Sequence, residues 1–278
     1  MLFGLLPVTR PARLAYLGSA NIKKGLLMPT VLITGCSTGF GLETAKFFLA
    51  QGWKVIATMR TPRDGVLPAS PNLRVVPLDV TDAASITAAV DAAGPIDVLV
   101  NNAGIGWLNA LEGTSMTTAR EIFETNTLGT MAMTQAVLPQ FRARKAGVIV
   151  NVSSTVTQRP LHLLSVYTAS KAAANAFTEV LALELEPFNI RARVVLPGRS
   201  PETQFGANAQ GRIQDAGGYP EAYAGVVQEV FARWAQAPAS DVTYAIDVAR
   251  AVWRAATDPN CPMLLPAGAD AEAVMAGR

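Results

Sequence analysis

The segment Tyr167-Thr-Ala-Ser-Lys171 places a phenol and an ammonium group four residues apart. In a helix these two side chains share one face, about one turn apart. An ammonium group beside a phenol favours the phenolate, so the spacing predicts a pKa for Tyr167 below its usual value of about 10. Such a tyrosine can give or take a proton near neutral pH. Taken alone, the pair also fits a solvated helix face.

A second candidate site is the stretch TGCSTGFG at positions 34–41. Five of its residues match G-x-S-x-G, the turn that presents a nucleophilic serine in hydrolases, here Ser37. The same letters also match a glycine-rich turn, G-x-x-x-G-x-G, whose backbone can approach a phosphate ahead of a helix N-terminus. Each motif requires a strand before it and a helix after it, so the surrounding elements decide between them.

Apolar strand patterns alternate with helical patterns from position 30 onward. We predict strands at TVLITG, WKVIATM, LRVVPLD, IDVLVNNAG, GVIVNVSS, IRARVVLPG and PMLLPAG. Helices are predicted at GLETAKFFLAQG, at DAASITAAVDAAG, over 116–145 as one or two helices, over 165–186 and at DVTYAIDVARAVWRAAT. Continuous apolar strands alternating with helices indicate an α/β fold, a doubly wound, Rossmann-like parallel sheet in a single domain, residues 29–278.

This arrangement favours the phosphate-binding interpretation. A hydrolase elbow takes one oxyanion donor from a loop earlier in the chain, but no strand pattern precedes position 30. Its triad also needs a histidine after the acid, and the single histidine, His162, lies in the middle of the chain. A serine hydrolase using Ser37 stays as one alternative, and a tight turn without a ligand as another.

The composition limits the classes of function. Half of the 278 residues are hydrophobic and 16% are charged, which excludes a disordered chain. The net charge of +2 and the scattered basic residues argue against a nucleic-acid partner. Cys36 and Cys261 lie far apart and lack metal-ligand spacing. We therefore expect no metal site and two free thiols, as in the cytoplasm.

The first 28 residues contain four basic and no acidic residues. Their apolar runs are too short for a membrane span, and a secretory signal would carry its basic residues before the first apolar run. An organelle-targeting peptide is one interpretation. We favour a dispensable N-terminal extension, residues 1–28, with Met28 as the functional start. Deleting residues 1–27 is then expected to leave a folded, active protein.

Together these motifs resemble the short-chain dehydrogenase/reductase family in its single-domain form, over residues 30 to about 271. The resemblance lies in Thr34-Gly35-x-x-x-Gly39-x-Gly41, Asp79-Val80, Asn101-Asn102-Ala103-Gly104, Asn126, Ser154, Tyr167-x-x-x-Lys171, Pro197-Gly198 and Gly268-Ala269-Asp270-Ala271. It implies an NAD(P)-dependent oxidoreductase that acts on CH–OH or C=O groups.

The resemblance also implies roles for single residues. Tyr167 is the general acid in carbonyl reduction and the general base in alcohol oxidation, and Ser154 hydrogen-bonds the substrate oxygen. Lys171 lowers the pKa of Tyr167 and holds the nicotinamide ribose, while Asn126 helps to order a water in a proton relay. Asp79 meets the adenine. The implied cofactor-binding residues are Gly35, Ser37, Thr38, Gly39, Phe40, Gly41, Asp79, Val80, Asn102, Ala103, Gly104, Tyr167, Lys171, Pro197 and Gly198.

The end of the second predicted strand, VIATMRTPRDG, bears on the choice of cofactor. NAD enzymes usually carry an acid there that accepts hydrogen bonds from the ribose hydroxyl. Met59 stands near that place, and Arg60 after it can hold a 2′-phosphate, with Arg63 adding charge. We therefore predict NADP(H) as the preferred cofactor and NAD(H) as the alternative. Thr38 stands where many NADP-dependent relatives carry a basic residue, so the preference is expected to be modest.

The segment from Arg199 to Ala239 is rich in Gly, Pro, Gln and Ala and carries Phe205, Tyr219, Tyr223, Phe231 and Trp234. In the family this region closes over the substrate, so its aromatic residues indicate a mostly apolar alcohol, ketone or aldehyde. Simple packing of these rings is the other interpretation. The family often has a threonine soon after Pro-Gly that contacts the nicotinamide amide, and here the first threonine is Thr203.

The remaining expectations concern assembly and alternatives. The resemblance implies a homodimer or homotetramer formed through the helices matching 116–145 and 165–186, with the Gly-Ala-Asp-Ala tail near a second contact. A redox sensor that binds NAD(P) without turnover is an alternative of another class, but it would be signalled by loss of Tyr167 or Lys171. Ser153 is assigned to structure, Cys36 to packing, and His162 to a substrate loop or the surface.

Overall fold

The computed structural model describes residues 28–236, 238 and 241–277, so the expected N-terminal extension lies outside the described residues apart from Met28. Seven parallel strands form one sheet in the order β3-β2-β1-β4-β5-β6-β7. They are β1 Thr30–Ile33, β2 Lys54–Met59, β3 Leu73–Pro77, β4 Val98–Asn101, β5 Gly147–Val152, β6 Ile190–Pro197 and β7 Leu264–Ala267. The predicted doubly wound parallel sheet is confirmed.

Helices cover the sheet. In the described part of the chain they are α1 Gly39–Ala50, α2 Ala83–Ala93, α3 Met116–Phe123, α4 Gly129–Arg144, α5 Ser165–Leu185, α6 Gln204–Asp215, α7 Ala224–Gln236, α8 Ala245–Thr257 and α9 Ala269–Met275. The predicted helix over 116–145 is present as α3 and α4, joined without a break by a π-helical turn, Glu124–Leu128.

Local sequence explains how these elements begin and end. The α2 helix starts at Asp82, whose carboxylate accepts a hydrogen bond from Ala84 N at 2.9 Å, and ends before Gly94, which has a φ of 72°. Along β1 successive side chains point to opposite faces, so Val31 and Ile33 lie in one core layer while Leu32 lies in the other. The sheet is therefore buried on both faces, as continuous apolar strands require.

The strand order reverses beside β1. From β1 the chain adds β2 and β3 on one side, whereas β4, β5, β6 and β7 follow on the other side. The helices that follow β1 and β4 therefore lie on opposite faces of the sheet, which opens a crevice beyond the carboxyl ends of these strands.

The segment 199–236, which we call the cover, holds α6 and α7. The sequence offered no strand pattern there, and none of its described residues forms a strand. Within the described residues, no helix combines the length and the apolar character needed to cross a membrane.

Candidate active site

The loop after β1 crosses the turn after β4 at very short range. A Cβ atom placed on Gly35 would lie 2.9 Å from the Cα atom of Ala103, and one placed on Gly41 would lie 2.3 Å from the carbonyl oxygen of Gly35. Gly35 also has a φ of 74°, a conformation that side chains disfavour. Gly35 and Gly41 are thus required by this crossing of backbones.

Polar contacts fix the same crossing. Asn102 Nδ2 donates to the carbonyl oxygens of Thr34 at 2.9 Å and Gly35 at 3.1 Å. The Thr34 hydroxyl accepts from the backbone N–H groups of Asn102 and Ala103, each at 2.9 Å. The glycine loop and the turn at 102–104 therefore act as one unit along the crevice.

A cleft of about 1430 Å³ extends from this crossing toward the cover. It exceeds the volume of about 300–1,000 Å³ that is typical for one small ligand, so it can hold a dinucleotide and a second molecule. Of the seventeen implied cofactor-binding and catalytic positions, fifteen line the cleft together with Arg60: Gly35, Ser37, Thr38, Gly39, Phe40, Asp79, Val80, Asn102, Ala103, Gly104, Ser154, Tyr167, Lys171, Pro197 and Gly198. The buried Gly41 lies behind the loop, and Asn126 is not among the described lining residues.

The start of α1 fits a phosphate group. The helix begins at Gly39, and the side chain of its N-cap residue, Thr38, makes no capping hydrogen bond among the described residues. The first N–H groups of the helix therefore stay available at the positive end of its dipole. Together with the missing side chains at Gly35 and Gly39, this gives a dinucleotide pyrophosphate room and donors.

Ser154, Tyr167 and Lys171 meet at the inner wall of the cleft. Ser154 follows β5, Tyr167 lies in the first turn of α5, and Lys171 lies one turn further along the same face. All three are buried, and the hydroxyls of Ser154 and Tyr167 are hydrogen-bonded. Lys171 Nζ donates to the carbonyl oxygen of Val152 at 3.0 Å. The structure thus brings the predicted triad together.

The pKa values of this group correct one expectation. Burial raises the pKa of Tyr167 to about 12, and the hydrogen bond with Ser154 lowers it only in part. Burial also lowers the pKa of Lys171 to about 8. The expected lowering of the Tyr167 pKa by Lys171 is wrong for this structure, because loss of solvent dominates and the Lys171 ammonium donates to Val152. At neutral pH Tyr167 is a protonated phenol.

Asn126 lies in the π-helical turn between α3 and α4. Its Oδ1 atom accepts from Ile105 N at 2.9 Å, and its Nδ2 atom donates to Ile105 O at 3.0 Å and to Ser170 Oγ at 3.1 Å. A Cβ atom on Gly104 would lie 3.2 Å from Asn126 Oδ1 and 3.4 Å from Lys171 Nζ. The turn therefore joins the loop after β4 to α5, and π turns often occur at functional sites.

The other end of the cleft carries charge. Asp79 Oδ1 accepts from Thr81 N at 2.9 Å and from Thr81 Oγ1 at 2.7 Å, and these bonds hold the pKa of Asp79 below its usual value. Arg60 is exposed and lines the cleft near Asp79. Arg63 Nη2 donates to the carbonyl oxygen of Ser37 at 3.3 Å. One guanidinium group, that of Arg63, therefore contacts the glycine loop, and another, that of Arg60, lies near Asp79.

The cover contributes residues that the sequence placed only by region. Thr203 lies against the glycine loop, since a Cβ atom on Gly39 would be 3.4 Å from its Cβ atom. Phe205 lies over Tyr167 with ring centroids 5.8 Å apart, and it approaches Gly106 so closely that a Cβ there would lie 2.7 Å from its ring. The contact of Phe205 with Gly106 was not predicted from the sequence. The only sign of it in the sequence is the second glycine, two residues after Gly104.

The hydrolase alternative finds no support in this geometry. Ser37 lines the cleft, whereas His162 is exposed and is absent from the described lining residues. Cys36 is buried, its Sγ atom donates to the carbonyl oxygen of Ile33 at 3.3 Å, and burial raises its pKa to about 12. Ser153 Oγ donates to the carbonyl oxygen of Lys171 at 3.5 Å.

Comparison with curated proteins finds dehydrogenases and reductases among the relatives. The chain is 40% identical to retinol dehydrogenase 8 of Bos taurus over 181 residues, which cover 61% of this chain and 58% of that protein. It is 38% identical to a 3-ketodihydrosphingosine reductase of Bacteroides thetaiotaomicron over 175 residues, covering 60% of this chain and 62% of the relative. The matches thus span about three fifths of the length of these relatives.

Solved structures of similar fold cover more of the chain. A short-chain dehydrogenase from Streptomyces avermitilis is 31% identical with a TM-score of 0.75, covering 91% of this chain and 92% of its own. A serine dehydrogenase complexed with NADP+ is 30% identical with a TM-score of 0.71, covering 85% and 93%. A 3-ketoacyl-(acyl-carrier-protein) reductase from Brucella melitensis complexed with NADH is 26% identical with a TM-score of 0.70, covering 86% and 96%.

The family model described as short chain dehydrogenase matches residues 29–212, which is more than half of the sequence. That span contains the glycine loop, the turn after β4 and the group of Ser154, Tyr167 and Lys171. The chain belongs to the short-chain dehydrogenase family.

Proposed function

We propose that the protein is an oxidoreductase that transfers a hydride between NADP(H) and a mostly apolar alcohol, ketone or aldehyde. One observation carries this proposal: a protonated Tyr167, hydrogen-bonded with Ser154, lines the same cleft as a glycine loop built for a pyrophosphate. A dinucleotide along this cleft would rest on the glycine loop and the turn at 102–104, and would reach Lys171, Pro197 and Gly198.

The residues of the chain supply binding, orientation and one proton. The cofactor provides or accepts the hydride at the substrate carbon. Ser154 and Tyr167 hold the substrate oxygen, and Tyr167 gives its hydroxyl proton to that oxygen in reduction or takes it back in oxidation. Its raised pKa keeps this proton in place at neutral pH. Lys171, one turn after Tyr167 in α5, would support the ribose, and Asn126, bonded to Ser170, would support a proton relay.

The character of the cover supports an apolar substrate. Phe205 and Tyr167 form one ring contact, and Tyr219, Phe231 and Trp234 form a chain of edge-on contacts with centroids 6.4 Å and 5.6 Å apart. All five rings line the cleft. The names of two relatives, a retinol dehydrogenase and a 3-ketodihydrosphingosine reductase, fit the same preference.

The test of catalysis is Tyr167→Phe. This change removes the one proton donor while keeping the ring against Phe205, so kcat should fall about 10²- to 10⁴-fold. The dissociation constant of NADPH, measured by fluorescence, should stay nearly constant. Tyr244→Phe, an exposed tyrosine outside the cleft, is the matched control. Full activity with Phe at position 167 would exclude the proposed mechanism. If the parent protein binds NADPH but shows no turnover, the alternative of a redox sensor is favoured.

The cofactor preference is tested at Arg60. A guanidinium can bind the 2′-phosphate through charge-assisted hydrogen bonds that contribute roughly 1.5–3 kcal/mol, or about ten- to over a hundredfold in preference. The ratio of kcat/KM for NADPH over NADH should fall by that factor in Arg60→Ala. Arg74→Ala, at an exposed arginine in β3 away from the cleft, should leave the ratio unchanged. A parent enzyme that prefers NADH contradicts this assignment.

Assembly and location complete the proposal. Leu128, which lines a groove between α4 and α5, exposes 47% of its surface, and Val180 and Leu183 of α5 expose 56% and 71%. These apolar surfaces support a homodimer or homotetramer formed through the two helices. Light scattering at micromolar concentration should give twice or four times the chain mass, and a monomer mass would contradict it. The free, buried Cys36 and Cys261 support a reducing compartment such as the cytoplasm.

A further inference from the structure

We propose that Asp270 and Thr243 are positioning residues that fix the turn at Pro197–Arg199 so that it can bind the carboxamide of the nicotinamide ring. This inference rests on the proposed function, because it assigns the nicotinamide end of the cofactor to this turn. Both residues lie beyond position 212, where the family match ends. Neither lines the cleft within the described residues, so both act through the turn.

Asp270, in the first turn of α9, is bonded through both carboxylate oxygens. Its Oδ2 atom accepts from Arg199 N at 2.6 Å, and its Oδ1 atom accepts from Ala271 N at 2.9 Å and lies 2.7 Å from the Thr243 hydroxyl oxygen. A carboxylate that accepts from backbone N–H groups makes strong, short hydrogen bonds. Asp270 therefore ties α9 directly to the turn after β6.

Thr243 holds the adjacent residue of the turn. Its hydroxyl oxygen accepts from Gly198 N at 2.8 Å, and its hydroxyl hydrogen lies within reach of the Asp270 carboxylate and of Ala267 O, at 2.7 Å each. Thr243 is fully buried. We call the hydrogen bonds of Thr243 and Asp270 to this turn the brace. A Cβ atom on Gly198 would lie 2.1 Å from Asp270 Oδ2, so the brace forms only because position 198 is glycine.

These bonds determine what the turn can offer a ligand. Pro197 has no N–H group, and the N–H groups of Gly198 and Arg199 both donate into the brace. The carbonyl oxygen of Arg199 accepts from Thr243 N at 2.8 Å, so the carbonyl oxygens of Pro197 and Gly198 are the ones that can meet a molecule in the cleft. Carbonyl oxygens accept hydrogen bonds, and the part of the cofactor that carries two N–H donors beside the reacting ring is the carboxamide.

The test compares Thr243→Val, which keeps the shape of the side chain and removes its hydroxyl, with Thr243→Ser, which keeps the hydroxyl. Two ligands are measured by calorimetry: NADPH, and adenosine 2′,5′-bisphosphate, which lacks the nicotinamide end. Thr243→Val should weaken NADPH binding about tenfold, as expected for one misplaced set of hydrogen bonds, and leave binding of the bisphosphate unchanged. Thr243→Ser should restore NADPH binding.

A merely structural role predicts a different pattern. Asp82→Ala, which removes the N-cap of α2 far from the turn, should lower Tm without changing the ratio of the two dissociation constants. If Thr243→Val does not fold, Asp270→Asn, which loses one acceptor oxygen, is measured with the same two ligands. An unchanged ratio in the folded variant overturns the inference. A parent protein that binds neither ligand overturns the proposed function instead.

Discussion

Glycine has opposite roles in two regions of this molecule. In the glycine loop, Cβ atoms on Gly35 and Gly41 would lie 2.9 Å and 2.3 Å from backbone atoms. In the cover, Cβ atoms on Gly206, Gly211 and Gly225 would meet no atom of the described residues within 4 Å. The loop therefore needs glycine because two backbones cross there, whereas the helices of the cover contain glycine without any steric need for it.

The ties that hold the two regions differ in the same way. Half-buried hydrogen bonds of Thr34 and Asn102 fix the glycine loop to the turn after β4. The cover is held by side-chain contacts: Ile213 and Val230 pack in an apolar cluster with Trp107 and Ile122. On the surface, Arg212 forms an ion pair with Glu121 of α3 at 2.7 Å, in which both side chains are more than one third exposed. Such surface pairs contribute only about 0–1 kcal/mol. We infer a rigid cofactor side and a cover that adapts to its substrate.

The strongest test of this contrast is Gly41→Ala. The added Cβ would overlap the carbonyl oxygen of Gly35 and Asn102 Nδ2, at 2.3 Å and 2.5 Å. Backbone would have to shift, so the free energy of unfolding should fall by about 3 kcal/mol or more, at the upper end of overpacking effects. NADPH binding should be lost with it. Chemical denaturation and calorimetry measure both quantities, and a variant with parental values would disprove the crossing.

The sequence predicted the rigid side well and the adaptable side poorly. Strand patterns and glycine spacing are local signals, and they located the glycine turn and the turn at 102–104, although not the crossing of the two. The two helices of the cover were not predicted, because glycine and proline interrupt their pattern and tertiary contacts decide their form. The direction of the Tyr167 pKa shift also depends on burial by Phe205 and its neighbours, which no spacing reveals.

Lys171 lies at the boundary between the two regions, and its burial makes stability depend on pH. Its pKa is lowered from 10.5 to about 8 in the folded protein. Between these values the unfolded chain holds one more proton than the folded chain, so this group makes stability rise with pH. At about 1.4 kcal/mol per pKa unit, the shift corresponds to roughly 3 kcal/mol across the window.

The measurement is the free energy of unfolding of the parent minus that of Lys171→Met, followed from pH 8 to pH 10.5. This difference should rise with pH. Cys36 and Tyr167, whose pKa values are raised, make stability fall at high pH, but they are present in both proteins and cancel. If the free energies of unfolding of the two proteins change with pH in parallel, the ammonium of Lys171 is solvated. The surroundings of Lys171 would then be adaptable, like the cover.

The smallest expected effect comes from Gly211→Ala, the same substitution as in the loop but placed in the cover. Gly211 is exposed inside α6, lacks a positive φ, and has open space around its Cα atom in the described part of the chain. Alanine stabilises a helix interior by about 0.5–1 kcal/mol relative to glycine, so Tm should rise by about 2 °C. Scanning calorimetry gives the value, and NADPH binding should stay parental. A loss of stability comparable with that of Gly41→Ala would show that the cover is as tightly constrained as the loop. The contrast between the two regions would then be wrong, because the same added methyl group would have destabilised both regions to the same extent.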